Sequence, residues 1–228
     1  MSIIEACLLM MIVILFVKVV TERRDLSAWL RRVMRVSRQK AAENRERIID
    51  AAGALLRANG FSGIGVADIM KAADLTHGGF YGHFNSKDDL VAQACRKVTA
   101  QAAENWQMTA AKSPENPYAA LLARYLQPRH RDEPEQGCVF ASLGADAARS
   151  GAVVQDAFAD GLEPLIDLLA KSAPGKTKAE RRRKGVAAMA GLVGALLLAR
   201  AVGTKDNKEL SNEILEATRR ELLDAGKD

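Results

Sequence analysis

The chain has 228 residues, 48% hydrophobic and 27% charged, ordinary proportions for a globular fold with a core that needs no staple. Its three cysteines, Cys7, Cys95 and Cys138, are far apart, with no Cys-x-x-Cys or Cys/His cluster, which excludes a zinc module or a disulfide framework and fits a reducing cytoplasm. The formal net charge is +5, and between Thr21 and Gly60 ten Lys/Arg stand against five Asp/Glu. That segment therefore holds the whole excess, an electrostatic footprint for an acidic partner.

Residues 3–20 are apolar except for Glu5 and Lys18, and Arg23, Arg24, Arg31 and Arg32 follow. The clean run from Ala6 to Val17 is shorter than the roughly 20 residues that span a bilayer. Apolar followed by basic would leave everything downstream in the cytoplasm. No basic stretch precedes the run, and no small-residue cleavage site follows it, so it is a poor secretory signal. Three readings of the extension 1–33 stay open. It is a membrane anchor, an apolar helix packed on the protein or a partner, or a stretch outside the working protein with translation starting at Met34. In the last case Arg35 to Lys40 forms a basic arm leading into the first helix, and Arg38 and Lys40 reach DNA phosphate or the minor groove, unless they are merely a solvated charge run.

From Ala42 to Asn59, Ile48, Ile49, Ala52, Leu55 and Leu56 recur at helical spacing. Asn59-Gly60 is a C-terminal stop, since glycine accepts the left-handed conformation there. A second helix is expected from Val66 to Ala73, with Val66, Ile69, Met70 and Ala73 on one face. Asp74-Leu75 makes a tight turn, Thr76 caps a short third helix from His77 to Phe84, and Ser86 caps a fourth. Phe80 and Phe84, four apart, point inward together. Two short helices joined by a tight turn form a helix-turn-helix, over 65–84, whose second helix enters the major groove. As a pattern alone, it is also a corner found in many bundles.

The residues themselves are more specific. Asn59-Gly60-Phe61, then Ile69 and Ala73, then Leu75-Thr76-His77-Gly78-Gly79-Phe80-Tyr81-Gly82-His83-Phe84-Asn85-Ser86-Lys87-Asp88-Asp89-Leu90 resemble the DNA-binding domain of the TetR/AcrR family of transcriptional regulators. The likeness is close over 42–102. It implies that Tyr81 and His83 meet DNA phosphates, with Lys87 near the backbone. Elementary chemistry agrees: a phenol, an imidazole and an ammonium can all donate to phosphate oxygens. Thr76, His77, Gly78 and Gly79 form the tip that approaches base edges. The glycines permit close approach either to DNA or to a neighbouring helix, and His77 is the side chain placed to read a base. His77 and His83, six apart, fall on different faces of an α-helix, so no shared metal is expected.

Beyond position 103 helices are expected over Tyr118–Leu126, Phe140–Arg149, Val153–Ala173 with a kink at Pro164, Lys178–Val202 and Lys208–Leu223. Residues 128–137 and the His130 within them read as a loop. Val186 to Val202 is apolar on nearly every side, which demands burial; Leu196 and Leu197 are therefore expected at a protein interface. The resemblance implies that the last two helices form a four-helix interface in a homodimer. Cys138, at a helix start after Gly137, is either a reactive thiol in a ligand pocket or a small buried hydrophobe. No catalytic constellation, cofactor motif or metal site is evident. The expected fold class is all-α: a helix-turn-helix domain over 42–102 and a helical ligand-sensing and dimerisation domain over 103–228. The expected function is a cytoplasmic homodimeric repressor, released from double-stranded operator DNA by a small apolar or aromatic effector. The alternative is a membrane-anchored DNA-binding regulator or interaction protein held by residues 3–20.

Overall fold

The computed structural model describes residues 10, 11, 38–203 and 205–225. The chain divides into two compact units, Met1–Glu46 and Arg47–Asp228. In the first, the described residues are helical, and Lys40 pairs with Glu43 at 3.7 Å. The rest of the extension 1–33, and with it most of the apolar run 3–20, lies outside the described residues, as does Met34.

The second unit contains only helices among its described residues. The first, α1, occupies 47–59 and buries Ile48, Ile49, Ala52 and Leu56. Gly60 ends it with φ +75, a conformation that costs glycine nothing. α2 runs Val66–Ala72 and buries Ile69 and Met70. Asp74 then adopts φ 53, a turn that a short polar residue tolerates. His77–Gly82 follows as a 3-10 helix, and α3 spans Lys87–Lys112 after Ser86, whose hydroxyl accepts from Asp89 N–H at 3.0 Å.

α3 continues unbroken across position 102, carrying Leu90, Val91 and Cys95 of one end and Trp106 of the other into the same core. Behind it come α4 (Pro117–Tyr125), α5 (Pro128–Asp132), a 3-10 turn (Pro134–Gln136) and α6 (Val139–Ala148). The long α7 (Ala152–Ser172), α8 (Lys178–Ala201) and α9 (Lys208–Asp224) complete the unit. Pro164 sits inside α7 without ending it. The segment expected to be a loop, 128–137, is thus partly helical, because Pro128 and Pro134 each open a short helix where a missing N–H costs nothing.

Small residues set two of the crossings. A Cβ on Gly161 of α7 would lie 2.4 Å from Thr99 Oγ1 of α3, and one on Gly185 of α8 would lie 2.8 Å from the backbone nitrogen of Ala170. α8 is long and apolar enough to cross a membrane by length and composition, yet Ala188, Met189, Leu192, Ala195, Leu196 and Ala199 are buried in the core of this unit. Leu196, expected at an interface, is therefore an interior residue; Leu197 and Leu198 carry the outward face at 42% and 53% exposure.

Candidate nucleic-acid interface and effector cavity

Ion pairs tie the helix-turn-helix region together: Arg47 meets Asp74 at 3.0 Å and Lys97 meets Asp50 at 2.7 Å. Within it, Phe80 and Phe84 stack at 5.6 Å and are buried. Phe80 anchors the 3-10 helix, and Tyr81 packs edge-on against it at 5.2 Å while remaining 74% exposed. Thr76, His77 and Gly78 are exposed beside it, whereas Gly79 and His83 are half-buried. A side chain at Gly78 would meet nothing, and one at Gly79 would make only ordinary contact with Met70 at 3.6 Å. Neither glycine is demanded by packing among the described residues.

Three residues per turn in a 3-10 helix place positions 77 and 80 in one column, and the helix ends at Gly82, before His83. The described residues contain no group of three metal-capable side chains. Thr76 is the N-cap residue, but its hydroxyl makes no capping bond.

Lys87 is more engaged than its sequence position suggests. Its ammonium donates to the carbonyls of Phe61 at 2.5 Å and Ile64 at 2.6 Å. It pins the α1–α2 connection to the start of α3, leaving one N–H for an outside acceptor. Arg38 and Lys40 are exposed in the first unit.

A cavity of about 400 Å³ opens between α3, α4 and the segment 128–140. Trp106 and Tyr125 meet edge-to-face at 5.9 Å, and Tyr125 meets the His130 ring at 4.5 Å. His130 is no lone loop residue. Its Nδ1 donates to Tyr125 O at 2.8 Å and its Nε2 accepts from Cys138 N–H at 3.0 Å. A carbonyl can only accept and an amide only donate, so these two partners fix the neutral tautomer. Burial, with smaller contributions from Arg200 and Arg124, holds the imidazole below its usual range, although the bond to Tyr125 opposes them.

Cys138 caps α6 and lines the cavity. The Tyr125 hydroxyl, the amides of Ala141 and Phe140, and Arg200 all favour its thiolate, but burial outweighs them and pushes the thiol up. A thiol activated by the helix start is therefore not what the geometry provides. Burial likewise pushes Cys95 to about 12.

The 128–138 segment is clamped from two directions. Arg57 of α1 donates through Nε to Glu135 O at 2.8 Å, and its second nitrogen bonds the same carbonyl. Arg200 of α8 donates to His130 O at 2.7 Å, Arg131 O at 3.1 Å and Ser142 Oγ at 2.9 Å. Sequence reasoning missed both arginines. Their acceptors are mainly backbone carbonyls about 70 or more positions away, which no local pattern announces.

Comparison with known proteins agrees with the helix-turn-helix geometry. The family model for bacterial regulatory proteins, tetR family, matches residues 48–94. The HTH-type transcriptional regulator AcrR of Shigella flexneri is 33% identical over 87 residues, 38% of this chain and 40% of that protein. The match thus spans well under half of that relative's length. Among solved structures, reduced NemR of E. coli superposes with a TM-score of 0.66 at 20% identity, covering 80% of this chain and 96% of that one. A TetR-family regulator from Agrobacterium tumefaciens gives 0.65 at 21% identity, over 81% and 97% of the two chains. At these identities the structures speak for the fold, and the match at 48–94 shows that this stretch is similar to the DNA-binding domain of bacterial regulatory proteins of the tetR family.

Proposed function

We propose that the protein is a cytoplasmic repressor that binds a pseudo-palindromic operator as a homodimer and is released by a small ligand. The observation that carries the DNA role is the tip His77–Gly82. There an exposed phenol and an unobstructed Gly78 stand on a phenylalanine anchor. Helix-interior glycines are unfavourable in an isolated chain, and they make sense, as does an exposed phenol, when phosphate and base edges come close. Thr76, His77, Gly78 and Gly79 then face the groove, Tyr81 and His83 meet phosphates, Lys87 offers its remaining N–H, and Arg38 and Lys40 contribute charge.

Dimerisation rests on the outward face of α8, where Val186, Ala187, Ala190, Leu197, Leu198 and Ala201 are exposed. With Leu210 of α9 they form an apolar surface suited to a self-complementary interface. The cavity supports ligand release. Its margin, 128–138, is bonded through Arg57 to α1 of the DNA-binding region and through Arg200 to α8, so a ligand that shifts the segment acts on both. Selection of bound sequences from random DNA, followed by gel shift against the selected site, tests the reading. Failure to enrich any sequence would overturn it.

A further inference from the structure

We propose that the cavity takes a small aromatic anion, a one- or two-ring carboxylate; the proposal deepens the ligand-responsive reading and rests on it. About 400 Å³ is at the small end of ligand pockets, room for one ring or two. Trp106, Tyr125 and Phe140 supply aromatic walls.

The polar groups point to the anion. The Tyr125 hydroxyl is buried on a residue that lines the cavity and has no oxygen or nitrogen partner among the described residues, so it lacks a strong acceptor. The Cys138 thiol beside it is a weak hydrogen-bonding neighbour, and the Arg200 guanidinium acts on it through charge. Behind this wall Arg57 and Arg200 are both partly buried, and burial pulls both guanidinium groups down. Their hydrogen bonds go to neutral acceptors, three carbonyls and one hydroxyl, and the Glu135 carboxylate acts on both through charge without hydrogen-bonding either.

One Arg57 nitrogen is itself buried without a partner. At the mouth, Arg124 is exposed and makes no ion pair among the described residues, whereas Arg129 and Glu133 neutralise each other at 3.0 Å. The start of α6 adds oriented amides on the same side. Positive charge thus surrounds the cavity from wall and mouth, with one carboxylate on its lining and that one already paired. A carboxylate ligand supplies the missing charge and the missing acceptor together.

Calorimetry on the full chain with benzoate, 1-naphthoate and benzyl alcohol tests this. One of the carboxylates should bind at least about tenfold more tightly than the uncharged alcohol, and more weakly as salt rises. Arg124→Gln should reduce that affinity roughly tenfold. Tyr125→Phe should reduce it several-fold while changing the melting temperature little, because the hydroxyl has only a weak contact with the Cys138 sulfur to lose. Benzyl alcohol binding as tightly, no binding by either carboxylate, or carboxylate binding unaffected by both substitutions would overturn the proposal. A gel shift without ligand, run in parallel, separates that outcome from failure of the DNA-binding reading.

Discussion

Tyr81 and Phe80 are adjacent aromatic residues with opposite fates, one exposed and one fully buried. A helical turn that hides Phe80 necessarily turns its neighbour outward. Tyr81→Ala should therefore leave thermal unfolding unchanged and weaken DNA binding about ten- to hundredfold, the worth of one hydrogen bond to a charged group. The loss should be uniform across sequences in gel shifts, since a phosphate contact carries no base information. Lys87→Ala should differ by lowering stability as well, because its ammonium also satisfies two loop carbonyls. His130 sets a pH dependence. Its folded pKa lies below the unfolded value near 6.5, so the unfolded chain binds the extra proton more readily. The stabilising effect is complete above about pH 6.5 and is lost as pH falls toward the folded pKa. Melting temperature should decline on acidification from pH 7 to about 5.5, and His130→Asn should melt lower at pH 7 with a flatter profile. Equal pH slopes for the two proteins would show that His130 is not the group responsible.

At the scale of elements, local punctuation made most of the fold readable. Pro117, Pro174-Gly175 and Gly203 bound helices wherever the chain cannot continue one, so α4 and α6 to α9 fall within a residue of their expected limits. The 128–138 segment was not legible as structure, because its order comes from Arg57 and Arg200 rather than from neighbours in sequence. The His130 ring and the Cys138 thiol owe their properties to that clamp. The candidate site was half legible: Thr76, His77, Gly78 and Tyr81 as a cluster that the structure leaves exposed, but not Lys87 as a tether. Glycines show why pattern alone stops short. Gly185, Gly191 and Gly194 all suggest close helix packing from sequence, yet a Cβ at Gly185 would strike the α7 backbone, one at Gly191 would touch Leu222 at 3.6 Å, and one at Gly194 would meet nothing. Gly185→Ala should cost about 1–3 kcal/mol, since α7 and α8 must separate to admit it. Urea unfolding measures this, and an unchanged midpoint would mean that the crossing yields freely.

For the whole molecule, the question is what covers the outer face of α8. Ala187, Ala190, Gly194, Leu197 and Ala201 recur at spacings of three and four, and Leu198 adds a further exposed apolar side chain. A second copy of the same face buries such a stripe by symmetry, and the small residues let two helices approach closely. Leu198→Arg should consequently give a folded monomer, because the side chain is already 53% exposed in the single chain. Leu196→Arg should instead abolish folding, since that residue has no exposure at all and a buried unpaired charge costs several kcal/mol. Gly194→Ala is the sharper test. In an isolated chain the extra methyl meets nothing and should raise helix stability by up to about 1 kcal/mol. In a close-packed dimer it wedges the two helices apart. Sedimentation of the three variants, paired with gel shift, distinguishes these cases. If the face is the interface, Leu198→Arg and Gly194→Ala sediment as monomer or weakened dimer. Their operator affinity should then fall steeply, because each half-site must be bound without the effective concentration that linkage provides. Both variants remaining fully dimeric would move the interface off α8, to α9 alone.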